Sequence, residues 1–463
     1  MLGGQRVGLN LIRYGVGALW LANAAVAMAQ DAPAEAEPLT LPPPGTPPAS
    51  DRSSLDFGPA FDRDSALVTT ARRSAATRGV TVLDRDRPAY DPVGVQLRGF
   101  RIDAAASLRT GIDTNVYRLA DGTTDLFGQG QLMASARSQW ARHSFSVDGD
   151  VEHRRFLTES VRNVTTYGLH AQGAIDVSRE VNISGQFSRD HEALDQLSVD
   201  DVGAVLQPVT YDNTAAGLRG RYSAGRILVS VNGNYANVNY EDSATLNGVV
   251  QSLRDRDHES YSAGAEFGYN FPAGTRAFVS ASHEWRRYRM ESNPGRDTNV
   301  LELLAGLESE ITPLLLGRVA VGYLTSEFSD PAVAGRSGLA IDTRLEYLVT
   351  QLTTLNLRAR RTMRALALSN SPGALVTQFR LGADHELLRN VIVSTGVLYE
   401  TADYLESSQG ADVYGADLSA QMSINRRYRA SLSFDYRTRK SENFGFSSNY
   451  SAFIAAIGVT ASL

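Results

Sequence analysis

The chain contains no cysteine in its 463 residues, so neither disulfides nor thiolate chemistry enter its fold or mechanism. It carries no excess of positive charge: the formal net charge is −6, which argues against a nucleic-acid partner. No apolar run reaches the roughly twenty residues an α-helix needs to span a bilayer. The histidines (His143, His153, His170, His191, His258, His283 and His385) show no metal-ligand spacing, so no metal, no cofactor and no enzymatic role are expected. Asp190-His191 and Asp257-His258 are adjacent pairs. Neighbours on a strand point to opposite faces, so neither pair is expected to act as a dyad. The mean hydropathy of −0.22 looks soluble, yet a barrel strand hides its lipid-facing half in alternation and keeps such an average low.

What is present begins with a leader. Arg6 and Arg13 form a basic start, Tyr14 to Val26 is apolar, and Ala27-Met28-Ala29 precedes Gln30. That order is a secretory signal peptide over residues 1–29, with Ala27 and Ala29 as the small residues of the cleavage site. A single membrane anchor is the alternative, but the apolar core is too short to span. Residues 30–88 open on a Pro-rich tract (Leu41-Pro42-Pro43-Pro44-Gly45) and read as a largely disordered segment, with a short helix near Asp64–Thr77.

Residues 89–463 change texture. Segments of ten or more residues alternate apolar and polar at period two. Ile227, Val229, Val231, Gly233 and Tyr235 share one face, opposite Leu228, Ser230, Asn232, Asn234 and Ala236; Ala430, Leu432, Phe434 and Tyr436 oppose Ser431, Ser433, Asp435 and Arg437. Short connections near 141–142, 179–180, 224–225, 272–274, 312–313, 350–351, 389–390 and 426–427 alternate with longer polar loops. Eight turns and nine loops require eighteen strands, with sixteen or twenty as neighbouring counts. The expected fold is an all-β, transmembrane, antiparallel up-and-down barrel of outer-membrane type, both termini periplasmic. A soluble propeller or sandwich fits less well, because its strands average about five or six residues.

The faces opposite the apolar ones would line a lumen. They carry Asp148, Asp150, Glu152, Glu284, Arg286, Asp342, Arg344, Glu346, Arg358, Arg360, Asp435 and Arg437. Unpaired charges in a dry interior are costly, so the lumen is expected to be wet or its charges to pair across strands. A hydrophilic conduit is one reading, and an interior sealed by salt-bridge ladders and loops is the other. Aromatics near strand ends (Tyr117, Trp140, Tyr240, Trp285, Tyr288, Tyr399 and Tyr436) are expected in the interfacial girdles.

One segment is specific. Tyr90-Asp91-Pro92-Val93-Gly94 is followed by Gly99-Phe100, and Asn115-Val116 closes the first strand. In this the chain resembles a family of outer-membrane β-barrel porins encoded with exopolysaccharide and capsule synthesis systems of Gram-negative bacteria. It departs from the family pattern at Asp103-Ala104, where a proline is expected, and at Leu463, where a terminal aromatic is customary. The resemblance implies a polysaccharide cargo and a periplasmic polysaccharide export protein as partner. Outer-membrane lipid, lipopolysaccharide and the barrel assembly machinery would be its surroundings. A general diffusion porin and a structural or adhesive surface barrel are the alternatives. The Asp91-Pro92 step, extended by its proline, is expected to order the chain against the periplasmic mouth.

Overall fold

The computed structural model describes residues 80–463, apart from 195–204, 273, 290–295, 313, 365–370, 406–408 and 443–448. The leader, the Pro-rich tract and the Asp64–Thr77 helix expected from sequence lie outside the described residues.

A short strand, β1 (Val95–Leu97), leads into the wall. The wall runs through β2 (Phe100–Asp113), β3 (Asp125–Ser138), β4 (Ser144–Phe156), β5 (Val164–Asp176), β6 (Val181–Ala193), β7 (Thr210–Ala224) and β8 (Ile227–Tyr240). A two-residue pair, β9 (Ser243–Ala244) and β10 (Val250–Gln251), decorates the next loop. The wall resumes with β11 (His258–Asn270), β12 (Thr275–Tyr288), β13 (Thr298–Thr312), β14 (Leu315–Phe328), β15 (Arg336–Thr350) and β16 (Thr353–Arg364). It ends with β17 (Ala374–Leu388), β18 (Val391–Tyr404), β19 (Gly410–Ser423), β20 (Tyr428–Glu442) and β21 (Tyr450–Ser462).

Each wall strand pairs antiparallel with its neighbours in sequence, and β21 returns to β2, from Ala105 opposite Ser462 to Asp113 opposite Ile454. The result is a closed barrel of eighteen strands. Closure leaves no open ladder, which is what a sheet needs in a solvent without hydrogen bonds. All eight short turns fall where the sequence puts them and share one end, the turn end, with Leu463. Nine longer connections lie at the opposite, loop end.

The exposed surface explains the alternation. Leu108, Leu132, Val151, Leu218, Val231, Val279, Val321, Leu381, Val397 and Ile457 all point outward and stay exposed. Rings bracket that band. On β11, Tyr261 and Tyr269 are outward and eight positions apart; on β20, Tyr428 and Tyr436 repeat the spacing. With about 3.3 Å per residue and a tilt near 40°, the rings stand about 20 Å apart along the barrel axis, close to the apolar height of an outer-membrane barrel.

Candidate functional site: the lumen and its turn-end mouth

The twelve charged residues singled out from sequence all stand on the inward face. Asp148, Asp150 and Glu152 alternate with outward Val151; Glu284 and Arg286 flank outward Trp285; Asp435 and Arg437 flank outward Tyr436. Asp342, Arg344 and Glu346 share the inward face of β15 with Arg358 and Arg360 of β16, since Asp342 opposes Arg360 and Arg344 opposes Arg358.

Several of these charges are paired. Arg286 Nη2 lies 2.5 Å from Glu284 Oε1, Arg437 Nη2 3.3 Å from Asp435 Oδ2, and Arg137 Nη2 3.5 Å from Asp148 Oδ1. The densest set was not singled out from sequence. Arg318 on β14 reaches Glu266 of β11 and Glu308 of β13, each at 3.0 Å, and Asp342 of β15 at 3.5 Å. Arg276 on β12 meets the same Glu308 oxygen, Oε2, at 2.7 Å. The Arg318 guanidinium also sits 3.6 Å from the Phe278 ring centroid, a cation–π contact that uses its flat face while its edges pair. The same period-two phase that marks Asp342 marks all four residues, so their inward direction was readable from sequence; their convergence was not.

The loop end is different. There apolar clusters stand on the inward face beside buried charged side chains, among them Arg364, Glu400 and Arg439. Tyr211, Val238 and Tyr240 pack with the loop residues Leu194, Val205, Val209 and Leu253. Ala374, Val376, Ala402, Tyr404, Ala411 and Val413 form a second buried patch. Val116, Phe127, Phe156 and Ala456 form a third, to which Tyr117 adds. Arg439, 1 % exposed, lies beside the second patch and donates from Nη2 to the Tyr404 hydroxyl. The aromatic expectation divides accordingly. Trp140, Trp285, Tyr399 and Tyr436 face outward, whereas Tyr240 and Tyr288 face inward and Tyr117 lies in a loop.

The Asp-His dipeptides split as alternation requires. Asp190 faces inward to His170 Nε2 at 3.0 Å, while His191 faces outward and its Nδ1 bonds Asp212 at 2.9 Å. Asp257 accepts the Tyr240 amide, and His258 donates from Nδ1 to the Arg256 carbonyl.

At the turn end, Val80–Gly94 lies as a strap against the rim, from β16 past β17 and the β19–β20 turn to β2. Part of it, Val80–Pro88, belongs to the stretch read from sequence as loose, yet Val82 is 1 % exposed. Its amide donates to Thr354 Oγ1 on β16 at 3.0 Å. Arg85 and Arg87 meet Glu386 of β17 at 2.9 and 3.0 Å, and Arg426 in the β19–β20 turn donates to the Pro88 carbonyl at 2.8 Å. Asp91 accepts the Arg87 amide, which folds the strap into a turn at Tyr90, and the Tyr90 amide closes it on the Arg87 carbonyl at 2.7 Å. Arg101 Nη2 then donates to the Pro92 carbonyl at 2.7 Å while pairing with Asp103 at 2.9 Å. The carboxylate that stands in place of a proline thus orients the arginine that holds the motif.

Gly94 has φ +68, and a Cβ there would meet Asp103 Oδ1 at 2.6 Å; Gly99, at φ +84, turns the chain from β1 into Phe100, whose ring sits edge-on to Trp140. The Gly94 amide bonds the Leu463 carbonyl, so strap and C-terminus meet at this seam, and Leu463 points outward with Val459 and Ile457.

A family model described as "Putative beta-barrel porin 2" matches residues 87–462. Among solved structures, the chain is similar to the siderophore receptor PirA from Pseudomonas aeruginosa, at 8 % identity over 80 % of this chain and 81 % of that one, with a TM-score of 0.40. It is also similar to the Pseudomonas aeruginosa outer membrane protein OpdK (12 % identity, 78 % of this chain, 99 % of that one, TM-score 0.40). OpdQ of the same organism gives 11 % identity, 78 % and 97 % coverage, and a TM-score of 0.39. No curated protein sequence matches the chain.

Proposed function

The chain belongs to this β-barrel porin family and is an outer-membrane β-barrel, and from that premise we propose that it is a conduit for a hydrophilic polymer, shut at rest. The observation that carries the reading is the sequence of environments along the axis. A strap lies against the turn-end mouth, an ion-paired polar band follows, and buried apolar patches line the wall towards the loop end. A polar band suits hydroxyl-rich cargo, and a strap held at the mouth suits transport that depends on a partner.

The turn end would be periplasmic, because short turns face the periplasm in barrels of this kind. Both termini then lie there. The cargo is an exopolysaccharide and the partner a periplasmic polysaccharide export protein; the Tyr90-Asp91-Pro92 motif, at the mouth where such a partner would dock, supports this reading. Lipid and lipopolysaccharide would surround the outward band, and the barrel assembly machinery would insert it. The charged inward residues act here as hydrophilic wall and as ion-pair partners, and no catalytic role is assigned to any of them.

Planar-bilayer recording of the purified protein tests the reading. Silence, or rare brief openings, is expected at rest. A large, steady, unselective conductance would instead identify a general diffusion porin.

A further inference from the structure

The strap is held to the inner wall through one buried carboxylate. Glu386 points inward from β17 with its side chain 2 % exposed, and it receives both Arg85 Nη1 at 2.9 Å and Arg87 Nη2 at 3.0 Å. Arg87 Nη2 also donates to the Val82 carbonyl at 2.7 Å, which ties the guanidinium to the strap's own fold. Arg389 stands 3.7 Å from the other Glu386 oxygen but is itself exposed. The β17–β18 register slips between Glu386 and Leu388, so the anchor sits at a bulge where the ladder is already broken. The strap's grip on β16, β17 and the β19–β20 turn is made of side-chain and turn contacts, and ladder pairing of the leading segment starts only at Val95.

If the strap left alone, a carboxylate with most of its water removed would lose the two cations nearest to it, which is costly for a buried ion. A second cation that takes the same place removes most of that cost. Resting on the conduit reading above, we infer that the strap is a releasable stopper of the turn-end mouth, and that its releasing partner presents a basic peptide segment that replaces Arg85 and Arg87 on Glu386. Leu83, Asp86 and Val93 are exposed on the strap's free side, where an incoming segment can reach it.

The lack of native cysteine makes the test clean. In a Val82→Cys variant, a maleimide should label the buried thiol slowly. Adding Arg87→Gln, which lies outside the barrel wall, should speed labelling at least tenfold while the barrel keeps its heat-modifiable mobility on gels. A hexa-arginine peptide added to Val82→Cys alone should also speed labelling, and a hexa-glutamate peptide should not. Unchanged labelling in the Arg87→Gln background overturns the clamp, and equal effects of the two peptides overturn the basic partner. Conductance separates this proposal from the reading it rests on. A Val82→Cys/Thr354→Cys cross-link should keep the barrel silent with hexa-arginine present, and reduction should let it conduct. Fast labelling with no conduction after reduction would leave the clamp standing and sink the conduit; conduction through the cross-linked barrel equal to the reduced one would overturn the stopper.

Discussion

Asn115 donates from Nδ2 to the carbonyl of Ser451 at 3.0 Å, across the seam where the first and last wall strands meet, 336 residues apart in sequence. The same side chain donates to the Leu119 carbonyl at 2.6 Å and accepts the Leu119 amide at 3.0 Å. One buried amide thus shapes the β2–β3 loop and fastens it to β21. Asn115→Ala leaves these backbone groups unpaired in a site that is 1 % exposed, and a loss of about 1–3 kcal/mol is expected. Asn115→Asp should cost no less, because its second oxygen would face the Ser451 carbonyl. Urea titration of the barrel in lipid vesicles, followed by tryptophan fluorescence, measures both.

Arg318 is the hub of the inward ion pairs, touching Glu266, Glu308 and Asp342 with Phe278 beneath it. Arg318→Met leaves carboxylates without their shared cation, and a destabilisation of about 3 kcal/mol is expected. Arg318→Lys should recover little of it, since an ammonium cannot bridge these carboxylates while lying flat on a ring. Combining Arg318→Met with Glu308→Gln should cost less than the sum of the single changes in the same titration.

The facing of the wall is testable at two adjacent positions. Val231 is outward at mid-strand and Asn232 is inward. Val231→Arg should weaken folding into vesicles by about 2–4 kcal/mol, the depth-dependent cost of an arginine on the lipid face. Asn232→Arg should change it by less than about 1 kcal/mol, because the inward face is polar there. Equal costs at both positions would contradict the assigned faces.

The fold was legible because lipid enforces a strict code on the wall. Turns such as 224–225 and 389–390 and faces such as that of Val151 follow from it directly. The aromatics of the loop end were misread, as β8 shows. Up to Tyr235 the outward face is apolar, but beyond it Asn237 and Asn239 face outward while Ala236, Val238 and Tyr240 face inward and are buried. β18 inverts likewise: Thr401 and Asp403 lie outward, Ala402 and Tyr404 inward and buried. Period two persists while its polarity flips, as it must where a strand leaves the bilayer and its inner face becomes an ordinary core. The phase that puts Asn234 inside also puts Tyr240 there, and that of Glu284 and Arg286 puts Tyr288 there; the girdle expectation rested on position near a strand end and left the phase unused. The strap was half visible. Pro92 and Gly94 marked an ordered turn, but nothing local in Arg85 or Arg87 announces a partner about 300 residues away, at Glu386.

Transport of a surface polymer is the central claim, and surface polymer measured in a strain lacking this gene tests it most directly. Polymer should disappear from the cell surface and accumulate inside the envelope, and return when the intact gene is restored. Undiminished polymer on the surface of the deletion strain would contradict the proposed role.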